Sequence, residues 1–335
     1  MKNNFSLYGL PEKVIYCKKC VISNQRPSSV VEFKNSNNKK VGININPKTK
    51  VCDACEYNSI KEEIDWPSRE EELLKLLEKY RKSSGYDCVV PGSGGKDSAF
   101  TAHLLKYKYG MNPLTVTWAP HLYTDIGWKN FTNWMHVGGL DNILFTPNGK
   151  VHRTLTHLAF KNLLHPFQPF IIGQKIIGPL IAMKFDIPLI FYGENQAEYG
   201  NKITENESPK MNTKFFSNKN KENIILGGEP INKIIKDYKF RLNDFEPYIP
   251  PNLEDITKKN IEQRYLGYYI KWDPQECFYY AVKNTGFIPN SERTEGSYSK
   301  YSSIDDKIDP FHYYLTFIKF GIGRATYDAC QEIRN

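Results

Sequence analysis

The sequence has no long apolar run. Its longest, such as Ile187-Pro188-Leu189-Ile190-Phe191-Tyr192, fall far short of the roughly 20 residues that cross a membrane, so no membrane insertion is expected. The N-terminus lacks the apolar core of a secretion signal, and we expect a cytoplasmic protein. The glycosylation sequon Asn130-Phe131-Thr132 is then a chance match. The Walker spacing for phosphate binding is missing too. No Cys-x-x-Cys pair follows residue 55, and Cys88, Cys277 and Cys330 are scattered. Position 2 is Lys2, which excludes a glutaminase with an N-terminal cysteine nucleophile. None of the three scattered cysteines sits in the sharp small-residue turn that a Cys-His-Glu glutaminase needs. The chain is therefore not expected to make ammonia from glutamine by itself. No internal repeat is present.

What remains suits a soluble enzyme. At 335 residues, 40% of them hydrophobic, the chain can build two or three units with a substantial core. The net charge of +8 favours acidic ligands such as ATP, sugar nucleotides or nucleic acid, without separating them.

The most informative run is Ser93-Gly94-Gly95-Lys96-Asp97-Ser98. It follows an apolar stretch at 86–90 and opens a helix-like stretch that ends near Gly110. A strand, a glycine turn and a helix N-terminus in that order make an anion site. The glycines let backbone N–H groups approach phosphate, and the helix dipole adds partial positive charge. Lys96 supplies a point charge and Asp97 a ligand for Mg2+. Ser93 and Ser98 supply hydroxyls. This resembles the PP-loop of ATP pyrophosphatases, which cleave ATP between the α and β phosphates and leave AMP on a substrate oxygen.

Four of the seven cysteines are organised. Cys17-Lys18-Lys19-Cys20 and Cys52-Asp53-Ala54-Cys55 form two knuckles that can place four thiolates around structural Zn2+. A cytosolic chain argues against disulfides here. The polar segment 21–51 between them has alternating stretches suited to a small β-ribbon. Cys88 reads as a small core residue.

Past a boundary at Asp65-Trp66-Pro67-Ser68, Ser68 is expected to cap a helix over 69–81 that puts Leu73, Leu74, Leu76 and Leu77 on one face. Strands are expected at 86–90, 113–118, 142–145 and 187–192. Helices are expected at 128–136, 152–164 and 174–185. Strands alternating with helices imply an α/β fold, a doubly wound parallel sheet whose ligands bind at the carboxyl ends of the strands. The expected units are a zinc ribbon at 1–66, a nucleotide domain at 67–228 and a mostly helical, aromatic-rich substrate or partner region at 229–335. Residues 196–222 read as a long surface insertion, a candidate lid.

Several motifs together resemble the bacterial N-acetyl sugar amidotransferase family: Tyr16–Val21, the second knuckle, SGGKDS, Pro147-Asn148-Gly149-Lys150-Val151-His152-Arg153, Tyr192-Gly193-Glu194-Asn195, and Phe320-Gly321-Ile322-Gly323-Arg324-Ala325-Thr326. The resemblance runs from about residue 14 to 335 and looks closest to members acting in lipopolysaccharide O-antigen synthesis. It implies that an acetamido group on a sugar, expected to be nucleotide-linked, becomes an acetamidino group. AMP is transferred to the amide oxygen, and ammonia then expels it. The expected ATP site comprises the loop residues with Thr117, Trp118, Gly173, Gln174, Lys175 and Gly193. Glu194 is expected to orient ammonia or take its proton. His121, Lys150, Arg153, Asn195 and Arg324 are expected to bind the N-acetyl sugar nucleotide. The resemblance also implies a separate glutaminase subunit, with a cyclase-like ammonia-channelling subunit as a further partner. Family members typically run further at the C-terminus. The rival reading is a zinc-containing PP-loop thiolase acting on tRNA. Such enzymes need cysteines near the loop, which this chain lacks in sequence, so no nucleic-acid partner is expected.

Overall fold

A computed structural model describes residues 11, 13–36, 42–194, 203, 208–219 and 223–334. Five parallel strands form the central sheet: β1 (Cys88–Pro91), β2 (Pro113–Trp118), β3 (Asp141–Phe145), β4 (Leu189–Tyr192) and β7 (Glu262–Tyr265), in the order β3-β2-β1-β4-β7. A two-stranded ribbon, β5 (Ile225–Leu226) and β6 (Glu229–Pro230), stands apart. In β1 the pleat sends Val89 into one core and Cys88 and Val90 into the other. In β4 it splits Ile190 and Tyr192 from Leu189 and Phe191. Strands buried on both faces read as unbroken apolar runs, and these two do.

Helices cover both faces. On one lie α5 (Gly149–Leu163), α6 (Gln168–Phe185), α7 (Ile231–Tyr238) and α8 (Leu253–Lys258). On the other lie α2 (Trp66–Tyr80), α3 (Lys96–Tyr107), α4 (Asp125–His136) and α9 (Pro274–Thr285). The fold is the expected α/β type, with α10 (Asp309–Phe320) and α11 (Arg324–Arg334) closing a helical C-terminus. Among the described residues no helix is long and apolar enough to cross a membrane.

Several expectations need correction. Helix α2 starts at Trp66, because the Asp65 carboxylate, not Ser68, caps it by accepting from the Ser68 N–H at 3.2 Å. Only Leu73 and Leu77 of its leucines are buried, while Leu74 is exposed; neighbours in sequence point 100° apart on a helix. Helix α4 starts at Asp125, where the Thr124 hydroxyl accepts from the Gly127 N–H. Among the described residues of segment 21–51, the expected ribbon is reduced to isolated bridges such as Pro27 with Gly42 and a 3-10 turn at Glu32–Lys34. The second knuckle opens a helix, α1 (Asp53–Lys61).

Within the expected lid, the described stretch 208–219 is packed down. Lys210 bridges Arg264 in antiparallel fashion, the Met211 N–H donates to the Gln263 carbonyl at 2.8 Å, and Met211 and Phe216 join the core. Strand β7 would otherwise be an open edge, and this strap covers it. That strand comes from beyond residue 229, so the sheet draws on both sides of 228.

Candidate functional site

Strand β1 has β2 on one side and β4 on the other. The chain reverses its direction of winding there, and such a switch point opens a crevice at the strand ends. The loop 92–95 sits at that point. Gly94 has φ +83°, and a Cβ on it would lie 2.8 Å from the Phe131 Cα. Only glycine fits both the torsion and the space. Gly94→Ala should therefore cost about 1–3 kcal/mol and remove nucleotide binding; melting temperature and ATP-analogue titration read the two effects. An unchanged affinity would show that the loop does not cradle phosphate.

Lys96 is the first residue of α3, with Gly95 as its cap. Its ammonium donates to both Asp97 carboxylate oxygens at 2.7 Å. Burial pulls the lysine's pKa down, but Asp97 more than offsets this, so the group stays charged. The loop opens on a cleft of about 430 Å³. Of the expected residues, Ser93, Gly95, Lys96, Asp97, Gln174, Glu194 and Arg324 line it. Glu194 follows the end of β4, and its carboxyl is pushed up by burial and then by Asp97, with Lys175 and Lys96 opposing.

Other expected residues lie elsewhere. Thr117 is enclosed, its hydroxyl accepting from the Asn142 amide at 3.0 Å. Trp118 lies under Gly173, whose Cβ would stand 2.2 Å from the indole. Gly193 abuts Trp272 and Thr101, and the Lys175 ammonium rests 5.1 Å from the centre of the Tyr192 ring. Ser98 turns its hydroxyl onto the Gly95 carbonyl at 3.0 Å. None of these six lines the cleft. His121 and Arg153 line a second, apolar cavity of about 600 Å³, and Lys150 is exposed at the start of α5. Asn195 lies outside the described residues.

Sequence reasoning missed the opposite wall. Tyr301, Asp305, Asp306, Asp309, Tyr313 and Gln331 complete the cleft. Segment 305–307 runs beside 122–124, with Thr124 N–H donating to the Asp305 carbonyl and Lys307 N–H to the Leu122 carbonyl. The available signal was Asp305-Asp306-x-x-Asp309-Pro310, three acids at a proline-marked helix start.

The four knuckle cysteines are buried with their sulfurs within 4.8 Å of one another. Cys17 and Cys55 are 3.8 Å apart, and Cys20 and Cys52 are 3.6 Å apart. A tetrahedral ion with Zn–S bonds of about 2.3 Å needs sulfurs roughly 3.8 Å apart. The set can therefore hold zinc. Cys330 is not remote from it: its thiol donates to the Cys20 carbonyl at 2.7 Å.

Residues 295–335 match a family model described as "LPS biosynthesis protein WbpG-like, C-terminal domain", which bears out the resemblance drawn from the motifs. No curated protein matches the chain. Solved structures similar to it include three of particular interest. The U34-tRNA thiolase NcsA from Methanococcus maripaludis shares 12% identity over 95% of this chain and 86% of that one, with a TM-score of 0.36. An NH3-dependent NAD synthetase from Campylobacter jejuni shares 14% over 69% and 100%, at 0.32. An NMN synthetase from Francisella tularensis shares 10% over 81% and 94%, at 0.31. Likenesses that distant carry no weight for activity.

Proposed function

We propose that the protein is an ATP-dependent amidotransferase that turns the acetamido group of an N-acetyl sugar into an acetamidino group, releasing AMP and pyrophosphate. One observation carries this reading. The segment that matches the lipopolysaccharide-biosynthesis model supplies Asp305, Asp309, Tyr313 and Arg324 to the same cleft as the PP-loop. Nucleotide and substrate walls thus face each other.

The chemistry follows from what the cleft offers. An amide carbonyl is a poor electrophile, because its nitrogen donates into it. Its oxygen attacks the α-phosphorus, pyrophosphate leaves, and the carbon then carries a leaving group. Lys96 and the loop N–H groups bind the departing pyrophosphate. Asp97 is a hard oxygen donor facing the cleft and would hold magnesium, which would supply charge neutralisation for the phosphates. Glu194, with its raised pKa, orients ammonia or takes a proton.

The thiolase reading loses support at Cys277. That residue lies within electrostatic reach of Lys96 and Asp97, but it is only 1% exposed, and burial pushes its thiol well up. A buried protonated thiol is a poor sulfur carrier. Cys88 and Cys330 are buried as well, so no accessible cysteine nucleophile for glutamine is available among the described residues. Ammonium at high concentration and raised pH should support amidine formation by this chain alone. Glutamine should do so only with an added glutaminase subunit. Glutamine hydrolysis by the purified chain at a matching rate would overturn that expectation. Incubation with labelled ATP, ammonium and candidate acceptors tests the whole reading. Pyrophosphate release should depend on a UDP-linked N-acetyl sugar; dependence on tRNA instead would sink it.

A further inference from the structure

The second cavity, of about 600 Å³, backs onto the cleft. It lies where β2 and β3 end and α5 begins, with the first turn of α10 on its far side. Pro120 lines both spaces. Asp306 of the cleft wall holds His121 of the cavity: its carboxylate accepts from the His121 backbone N–H at 2.7 Å and from the ring Nδ1 at 3.0 Å.

The cavity is walled mostly by apolar side chains, yet two buried imidazoles face it. His121 Nε2 and His152 Nε2 are enclosed and have no hydrogen-bond partner among the described residues. His152 is 8% exposed, and the two rings lie 4.6 Å apart. Buried polar nitrogens are normally paired, so these call for a ligand. Their needs differ. The Asp306 carboxylate only accepts, so the proton of a neutral His121 sits on Nδ1 and Nε2 is an acceptor. At His152 the Tyr248 hydroxyl lies 2.8 Å from Nδ1, its one partner among the described residues. The hydroxyl therefore donates, and the His152 Nε2–H is left as a donor. Burial, then His121, with Asp306 opposing, pushes the His152 imidazole down to about 3. That ring is neutral and suits a dipole rather than an anion.

A negative group has its own place. Gly149 of the cavity wall opens α5, a helix of 15 residues whose N-terminus carries partial positive charge, and Arg153 stands exposed one turn on. Phe160 and Phe311 line the cavity while largely exposed, apolar surface that a planar ring can cover. An aliphatic chain would suit these walls but leave both nitrogens unpaired. A bare phosphate would suit Arg153 but not the walls. A nucleoside diphosphate answers all three demands, with a flat ring, donors and acceptors on base and ribose, and charge at one end. ATP is not that ligand. Its phosphates belong at Lys96, and no residue of the PP-loop lines this cavity.

We infer that the second cavity holds the nucleoside diphosphate to which the N-acetyl sugar is attached, so that one substrate lies across Pro120 with its acetamido group in the cleft. The inference rests on the amidotransferase reading and adds to it the carrier of the sugar and the place where that carrier sits. Binding energy gathered at a remote carrier positions a small amide without crowding the reacting atoms.

Calorimetric titration of the whole chain with uridine, thymidine, guanosine and cytidine diphosphates tests this without turnover. At least one should bind, and should still bind when a non-hydrolysable ATP analogue fills the cleft. Arg153→Ala removes a charge-assisted contact from an exposed position and should raise that Kd about tenfold or more. His152→Phe keeps a ring in place but removes both nitrogens, and should weaken binding likewise. Both variants should bind the ATP analogue with native affinity, which also shows that they are folded. With the matching nucleotide-linked N-acetyl sugar, their KM for the sugar should rise while their KM for ATP stays. Binding by none of the diphosphates, binding that both variants leave unchanged, or competition by the ATP analogue overturns the inference. Amidine formation that proceeds equally well from an N-acetyl sugar without a nucleotide overturns it too, and leaves the amidotransferase reading standing. Binding that is lost in the variants, while no nucleotide-linked sugar yields amidine, upholds the nucleotide site and rejects the amidotransferase reading.

Discussion

Lys96→Ala should abolish ATP cleavage while leaving the fold intact. The lysine sits at the N-terminus of α3, 8% exposed, with its ammonium held by Asp97 at 2.7 Å and its open side toward the cleft. Pyrophosphate departs with growing negative charge, and a preorganised cation beside it acts where that charge develops. Removing one such group costs about 10²–10³ in rate, and here the loss also leaves Asp97 without its counter-charge, so the fall should reach the upper end. Asp97→Asn should fall comparably, because it removes the carboxylate proposed for magnesium. Neither side chain fills a core cavity, so circular dichroism and melting should change little. Pyrophosphate release near the native rate in either variant would mean that the loop is not the nucleotide site.

How far the sequence discloses this arrangement depends on what each element buries. Strands β1 and β4 could be read because they are apolar runs between turn residues, and β2 because β-branched and apolar residues alternate along it; all three are buried on both faces. The PP-loop could be read because close approach to phosphate demands glycines at fixed places. Strand β7 could not. Glu262-Gln263-Arg264-Tyr265 looks like a surface segment, and it is a strand only because β4 offers a ladder and the 208–219 strap covers its far side. Its charges are matched partly within the strand, where Glu262 pairs with Arg264 two residues on, and partly from a distance, where Glu262 accepts from the Tyr80 hydroxyl at 2.7 Å. The acidic wall at 305–309 was hidden for a related reason. Its meaning lies in facing Ser93, more than 200 residues away in the chain, and no local pattern encodes that meeting. Arg324 was found through its motif, and Gln331, on the same helix face, was not.

Loss of the proposed zinc should have the largest structural effect, and it should reach the cleft. Segment 13–61 has little core of its own beyond the four cysteines, Ile22, Ile43 and Ala54, and it shares that cluster with Ile322 and Cys330. Structural zinc in such small units supplies about 10–16 kcal/mol of binding free energy, as much as the about 5–15 kcal/mol that holds a whole domain. Cys52→Ser should therefore lose about one equivalent of metal and unfold the knuckles. The consequence continues through α11, which has two working faces spaced three and four residues apart. Tyr327, Cys330 and Arg334 meet the knuckles: Arg26 lies 4.9 Å over the Tyr327 ring, Cys330 donates to the Cys20 carbonyl, and Asn58 donates to the Arg334 carbonyl. Arg324 and Gln331 line the cleft, and Asp328 braces Arg324. A helix held on one face by the knuckles cannot keep its other face in register when they melt. Hydrogen exchange after chelation should accelerate at 14–60 and at 322–334 together, while the sheet strands stay protected. Substrate-dependent turnover should fall even where the nucleotide still binds. Acceleration confined to 14–60, or a metal-free protein that stays stable with its knuckle cysteines paired as disulfides, would show that the knuckles do not hold the cleft wall.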